Sequence, residues 1–131
     1  MLRRIKQFLG LEGIPEALPM PQELKPAGKR SSRWARTRTI HLMRESVCRG
    51  CGTTKDLEVH HKIPFHLKPE YELAGFNLIT LCESPGRNCH YALGHAYNWR
   101  GYNSHVVEDA ALFLSRVKES AAIVKSLENE G

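Results

Sequence analysis

The stretch that decides the fold is Cys48-Arg-Gly-Cys51-Gly-Thr-Thr-Lys-Asp-Leu-Glu-Val-His60-His61-Lys-Ile-Pro64. Two cysteines separated by two residues are typical of half a zinc site, because one tight turn brings both sulfurs to the same ion. Apolar residues then alternate with polar ones just before two adjacent histidines, which predicts a short strand over 57–60. The stretch therefore predicts a metal-binding turn followed by a strand that carries His60 and His61.

A second cysteine pair, Cys82 and Cys89, completes a set of four. It encloses six residues, whereas zinc pairs usually enclose two to four, so its signal is weaker than that of the first pair. One ion held by all four thiolates would tie the ends of a small motif together. Four unrelated free thiols are the alternative. Between the pairs, residues 64–76 predict a long loop and 78–81 a second strand; a helix is expected to begin near Asn88 or Cys89.

The adjacent histidines suit two different tasks, because neighbouring residues on a strand face opposite ways. A neutral imidazole accepts a proton from water near neutral pH, and an imidazole also binds divalent metal ions. Hydrolysis of a phosphodiester needs both functions. An amide such as Asn77 is suited to holding the backbone or an imidazole in place. Two solvated histidines beside a purely structural zinc are the alternative.

The charge and hydropathy of the 131-residue chain limit the class of protein to which it can belong. A net charge of +5 and a pI near 9.2 allow a polyanionic partner, and the basic residues crowd the first third. No apolar run approaches the roughly 20 residues of a membrane span, and the N-terminus lacks the apolar core of a signal peptide. We therefore expect a soluble, cytoplasmic protein, whose cysteines bind metal rather than form disulfides.

Three regions are expected along the chain. Residues 1–30 combine a short amphipathic helix with a proline-rich linker. Residues 31–104 form the central domain, which opens with a helix capped by Ser31 or Ser32 and running to about Ser46. Residues 105–131 hold the clearest amphipathic helix, over 106–127. Its apolar stripe favours packing on its own domain, with a homodimer seam as the alternative.

The ordered pattern over residues 33–91 resembles the HNH endonucleases with a zinc-bound ββα-metal core, of the phage and mobile-element type. The residues that carry the resemblance are Trp34, Arg38, Cys48-x2-Cys51-Gly52, Leu57-Glu58-Val59-His60-His61-x2-Pro64, Asn77-Leu78-x2-Leu81-Cys82 and Cys89-His90. It implies an α+β fold in which a small ββα-metal (His-Me finger) core with structural zinc is flanked by N- and C-terminal helices. It also implies hydrolysis of DNA phosphodiesters with a catalytic Mg²⁺ or another divalent ion such as Mn²⁺ or Ni²⁺.

The resemblance assigns roles residue by residue. His61 matches the general base and Asn77 the residue that supports it, while His60 and His90 match ligands of the catalytic ion. The structural zinc ligands would be Cys48, Cys51, Cys82 and Cys89. Some relatives carry one more histidine ligand a turn later, where this chain has Gly94 followed by His95. In a regular α-helix His95 points about 140° away from His90, so it becomes a further ligand only if the helix is distorted.

Substrate contacts are expected from six cations near these motifs, through the phosphates: Arg33, Arg36, Arg38, Lys62, Arg87 and Arg100. The segment 97–102 could stack on a base, but we favour packing of Trp99 and Tyr102 between the C-terminal helix and the core, and Trp34 as a core residue.

The leading hypothesis is a DNA endonuclease that nicks or cuts both strands. The alternatives are a non-cleaving, zinc-containing DNA-binding module and an accessory nuclease that acts with phage packaging proteins.

Overall fold

The computed structural model describes residues 29–130. The predicted helix and proline-rich linker before residue 29 lie outside this range. Helix α1 (Trp34–Arg44) precedes strands β1 (Leu57–His61) and β2 (Leu78–Cys82). A single π-helical turn (His90–Gly94) and helix α2 (Val106–Asn129) follow. Between the strands lie two 3₁₀ turns, Pro69–Tyr71 and Gly75–Asn77. The protein is thus a small α+β fold, as predicted.

The two strands form an antiparallel hairpin whose register fixes the positions of the motifs. Leu57 pairs with Cys82 at the open end, and His61 pairs with Leu78 beside the connecting loop. All five residues of β2 are buried, and Leu81 is fully covered. The core around β2 includes the four cysteines together with Val106 and Ala110 of α2. Cysteines therefore supply much of what would otherwise be an apolar core.

Helix α1 is anchored to the hairpin by its C-terminal end. The N-cap residue is Arg33 and no side chain caps the helix, so the predicted cap by Ser31 or Ser32 is wrong; Ser31 Oγ instead accepts from the Arg33 amide at 3.1 Å, just before the helix. The helix ends at Arg44, two residues before the predicted end. There the Thr80 amide and hydroxyl donate to the side chain and carbonyl of Glu45, at 3.0 and 2.8 Å. These bonds to β2 replace the last helical turn.

The wide second cysteine pair is closed by a tight turn. The amides of Arg87 and Asn88 both donate to the Ser84 carbonyl, at 3.1 and 2.9 Å. Gly86 and Asn88 have positive φ angles of 81° and 38°, which glycine and asparagine tolerate better than other residues. The chain therefore reverses within the six residues and returns Cys89 to the first pair.

Helix α2 is attached by its first turns only. Val106 and Ala110 are its buried residues, whereas Leu112, Ile123 and Leu127 are more than half exposed. The predicted packing of its stripe on the domain therefore holds for the N-terminal part of the helix within the described range. No helix within residues 29–130 is both long and apolar enough to cross a membrane.

Candidate metal centres and their cleft

The four cysteines converge at the open end of the hairpin. Their sulfurs all lie within 4.8 Å of one another, and Cys51 Sγ is 3.6 Å from Cys82 Sγ. Four thiolates around a tetrahedral zinc ion, with bonds of about 2.3 Å, would lie roughly 3.8 Å apart. The backbone amides of Gly50 and Cys51 both donate to Cys48 Sγ, at 3.3 and 3.4 Å. This donor set is positioned to bind a metal ion with little rearrangement.

Close packing of the thiols shifts their pKa values in opposite directions, and burial is the main reason why the pKa of Cys51 is raised. The pKa of Cys48 is lowered to about 4, chiefly because the Cys89 thiol donates a hydrogen bond to it, and the same contact raises the pKa of Cys89. Arg87 contacts Cys51, and this hydrogen bond is the main reason why the pKa of the guanidinium is raised. Arg87, which we expected to contact phosphate, therefore lies beside the thiol cluster and offsets its negative charge.

Three histidines from β1 and the π turn form a second cluster. His60 comes from β1, and His90 and His95 stand at the two ends of the π turn. His90 Nε2 lies 3.1 Å from His60 Nδ1 and 3.2 Å from His95 Nε2. All three residues are close enough to share one metal ion.

The outer nitrogens of two of these rings are held by acceptors. His90 Nδ1 lies 3.0 Å from Glu83 Oε1, and His95 Nδ1 lies 2.8 Å from the Gly101 carbonyl oxygen. In the neutral rings each Nδ1–H must donate, which leaves both Nε2 atoms unprotonated and turned toward each other. Two lone pairs 3.2 Å apart repel unless a cation lies between them, so the cluster fits a bound divalent ion.

His60 is the most deeply buried member of the cluster. Burial, followed by the neighbouring His90 and His95, lowers its pKa to about 3, so the ring is neutral and able to act as a ligand. Its Nε2 is buried without a hydrogen-bond partner among residues 29–130. An unpartnered buried nitrogen costs free energy that a bound ion or water would recover.

The π turn is what brings His95 into the cluster. The His95 amide donates to the His90 carbonyl at 3.1 Å, a bond that spans five residues instead of four. The wider turn places residues five apart on nearly the same face, unlike a regular α-helix. Gly94 makes this possible, because a Cβ atom there would lie only 3.1 Å from the His60 ring.

His61 lies on the opposite side of β1 from this cluster, as the alternation predicts. Its Nε2 donates to the Glu72 carbonyl at 2.9 Å, and its ring lies 4.5 Å from the Trp34 ring. Because a carbonyl oxygen only accepts, the neutral ring carries its free lone pair on Nδ1. Burial is the main reason why the pKa of His61 is lowered, with a smaller contribution from the Arg30 cation.

Asn77 fixes the backbone immediately after these histidines. Its Oδ1 accepts from the Ile63 amide at 2.8 Å, and its Nδ2 donates to the Ile63 carbonyl at 3.0 Å and to the Tyr71 carbonyl at 3.4 Å. Asn77 is almost fully buried. Of the two tasks expected of this amide, the contacts match the first, support of the backbone.

Both sets of histidines line one cleft of about 690 Å³. One carboxylate, Glu58, lines it and is ion-paired with Arg38 at 3.1 Å, and four cations line it: Lys29, Arg30, Arg38 and Arg100. Among the six cations predicted to bind nucleic acid, Arg38 and Arg100 are therefore at the cleft. Arg33 and Arg36 are exposed but do not line it, and Lys62 donates to the Phe76 carbonyl at 2.9 Å.

The structure corrects the interpretation of both tryptophans. Trp34 is half-buried and lines the cleft beside His61, so it is not a core residue. The ring contacts of Trp99 are with Tyr91, His90 and His95, and it does not serve to pack α2 on the core. Sequence reasoning failed here because it assigned large aromatic residues to the interior by size alone.

Sequence reasoning also missed four residues of the site: Glu72, Glu83, Arg30 and Gly94. Only Gly94 left a signal, since a glycine inside a predicted helix often marks a close approach. Arg30 was placed in the linker, yet its guanidinium lies 5.0 Å from the Phe65 ring and 4.0 Å from Glu72 Oε2. Glu72 and Glu83 left no signal in the sequence, because the groups that they contact are distant in sequence or are reached only through a loop.

A two-stranded hairpin followed by a short helical turn, with a cysteine cluster positioned for an ion, is the architecture of a ββα-metal domain. The family model for HNH endonuclease matches residues 48–95. The match begins at the first cysteine and ends at His95, so it spans both cysteine pairs and the histidines and supports the resemblance to the HNH endonucleases. No match was found among curated proteins or among solved structures.

Proposed function

We propose that this protein is a metal-dependent endonuclease that hydrolyses DNA phosphodiester bonds, with His61 as general base. The observation that carries the proposal is that His61 lines the same cleft as three converging imidazoles and four cations. The HNH match supports a nuclease in general. The thiol cluster at the open end of the hairpin would supply the scaffold, with zinc as the ion that four cysteines favour.

In the proposed reaction, each side chain of the cleft has a separate task. Water attacks the phosphorus as Nδ1 of His61 removes its proton, and the Glu72 carbonyl stabilises the imidazolium by accepting from Nε2–H. His60, His90 and His95 would hold a divalent ion, which neutralises charge on the phosphate and the leaving oxygen when bound. Arg38 and Arg100 would bind phosphates along the cleft. Cleavage leaves a 5′-phosphate and a 3′-hydroxyl.

The test is plasmid cleavage by the His61→Ala variant in the presence of Mg²⁺, Mn²⁺ or Ni²⁺. Loss of a general base is expected to lower the rate by about 10²- to 10⁴-fold. Zinc content and the circular dichroism spectrum should stay unchanged. His105→Ala is the matched control, because His105 is exposed and does not line the cleft. Full activity of His61→Ala would overturn the assignment.

The same assay separates the two rival hypotheses. A non-cleaving module would bind DNA yet leave the plasmid intact with every metal. An accessory nuclease would cut only after addition of its assembly partners. A phage packaging context, a homodimer through α2 and a cytoplasmic location stay predictions.

A further inference from the structure

Trp99 occupies an unusual position for a tryptophan, exposed at the rim of the histidine cluster. Its ring centroid lies 4.9 Å from that of His95 and 5.3 Å from that of His90. One side of the indole packs on Tyr91, at 4.8 Å and an interplanar angle of 33°. The residue is nevertheless 55% exposed and lines the cleft. A large apolar surface is therefore open to solvent next to the proposed ion.

The loop that carries Trp99 is held in a strained conformation. Ala96 and Tyr97 have φ angles of 51° and 62°, which residues other than glycine rarely adopt. Two hydrogen bonds between Tyr91 and Tyr97 hold the loop in this conformation. The Tyr97 amide donates to the Tyr91 carbonyl at 3.0 Å, and Tyr91 Oη donates to the Tyr97 carbonyl at 2.6 Å. The indole is thus pre-positioned before any ligand arrives.

The cleft around Trp99 has the charge of a site for a nucleic-acid backbone. Arg100 follows Trp99 directly and lines the same cleft, with Arg30 and Arg38 on other parts of its wall. Trp34 and Phe65 also line it. Cations interleaved with exposed aromatic rings are the combination by which proteins bind unpaired strands, since the cations bind phosphates and the rings stack on bases.

We propose that Trp99 stacks on an unpaired nucleobase next to the bond that is cut, and that the preferred substrate is therefore single-stranded or locally unpaired DNA. In an intact duplex both faces of each base are covered by its neighbours. An indole can stack only on a base that has left the stack, which costs free energy in a duplex and much less in an unpaired strand. This inference rests on the proposed nuclease function.

The first test compares cleavage of one sequence presented as a single strand, as a duplex with an unpaired bubble, and as a full duplex. The unpaired substrates should be cut about tenfold faster or more, in line with the effect of stacking one base. Trp99→Ala should lower kcat/KM on them by about 5- to 150-fold and have little effect on the full duplex. Phe113→Ala is the control, because Phe113 is a partly exposed aromatic on α2 away from the cleft.

Two further variants separate stacking from simple exclusion of water. Trp99→Phe keeps an aromatic face and should retain most of the preference for unpaired DNA. Trp99→Leu keeps an apolar side chain without that face and should lose the preference. If Trp99→Leu behaves as the unaltered protein does, Trp99 only shields the ion and the inference is wrong.

DNA binding by the His61→Ala variant tests the stacking of Trp99 separately from cleavage. In that background, the affinity for a fluorescein-labelled single strand should fall by about 5- to 150-fold when Trp99 is also replaced by alanine. Affinity for the full duplex should change little. Absence of cleavage by the unaltered protein would overturn the nuclease proposal alone. Equal loss of affinity for both forms of DNA would overturn the stacking proposal alone.

Discussion

At the scale of single residues, the identity of each histidine's partners decides what the ring can do. His60 and His61 are neighbours in sequence, yet one faces two imidazoles and the other faces the Glu72 carbonyl. The sequence was sufficient to separate their faces, because strand alternation is local. It was not sufficient to find Glu83 or Glu72, whose positions depend on how loops return to the hairpin.

The lowered pKa of His61 sets the expected pH dependence of cleavage. Burial, then the Arg30 cation, disfavours the imidazolium, so the neutral base persists below the ordinary value of 6.5. We expect kcat/KM to be level above pH 6.5 and to fall only as pH drops through the lower pKa. A bound divalent ion would shift this pKa in the same direction. Single-turnover rates between pH 4.5 and 8.5, at saturating metal, would measure it.

Replacement of Arg30 by alanine tests the cause of that shift. Without this cation the imidazolium is repelled less, so the pKa of His61 rises and the fall in rate moves to higher pH. Arg116→Ala, at an exposed position on α2, should leave the profile unchanged. An unchanged profile for Arg30→Ala would show that burial alone lowers the pKa.

At the scale of elements, the π turn is the feature that could not be predicted from the sequence. The strands were predicted at 57–60 and 78–81, and each is one residue longer in the structure. Strand patterns are local and β2 is wholly buried, which explains this success. The turn at His90–Gly94 instead depends on contact with the His60 ring, a residue thirty positions earlier. Regular 3.6-residue geometry therefore gave the wrong direction for His95.

Gly94→Ala tests whether this element positions the histidine cluster. The added Cβ would lie 3.1 Å from the His60 ring, and relief of such crowding costs about 1–3 kcal/mol. We expect the affinity for Ni²⁺, measured by isothermal titration calorimetry on zinc-loaded protein, to fall by about 5- to 150-fold. Gly75→Ala is the matched control, since no atom lies within 4 Å of its added Cβ. Equal affinities for the two variants would contradict the role of Gly94.

At the scale of the whole molecule, the four cysteines occupy much of the space that apolar side chains fill in other small domains. Within residues 29–130, four of the ten buried hydrophobic residues are the cysteines themselves, and α2 adds only Val106 and Ala110. Without an ion, these thiols would lose the interaction that holds the ends of the hairpin together. The fold class was predictable because the ordered cysteine and histidine pattern resembles that of the HNH endonucleases, whereas the extent of α2 packing was not predictable.

Removal of zinc by a strong chelator should therefore abolish cooperative thermal unfolding, as followed by circular dichroism. His60→Ala, which alters only the histidine cluster, should keep a cooperative transition. A protein that unfolds cooperatively at the same temperature with and without zinc would contradict the dependence of the fold on the thiol cluster.

The order of residues around the second cysteine pair has a further consequence. Cys82 is followed directly by Glu83, and Cys89 directly by His90, so each thiol is covalently joined to a member of the other cluster. An ion held by the thiols would consequently also fix the backbone that carries His90 and its carboxylate partner Glu83. Under the proposed function, a chain without the ion of the thiol cluster would have no ordered histidine cluster and would not cut DNA, whatever the supply of the second ion. The ion of the thiol cluster would thus be required for the proposed cleavage.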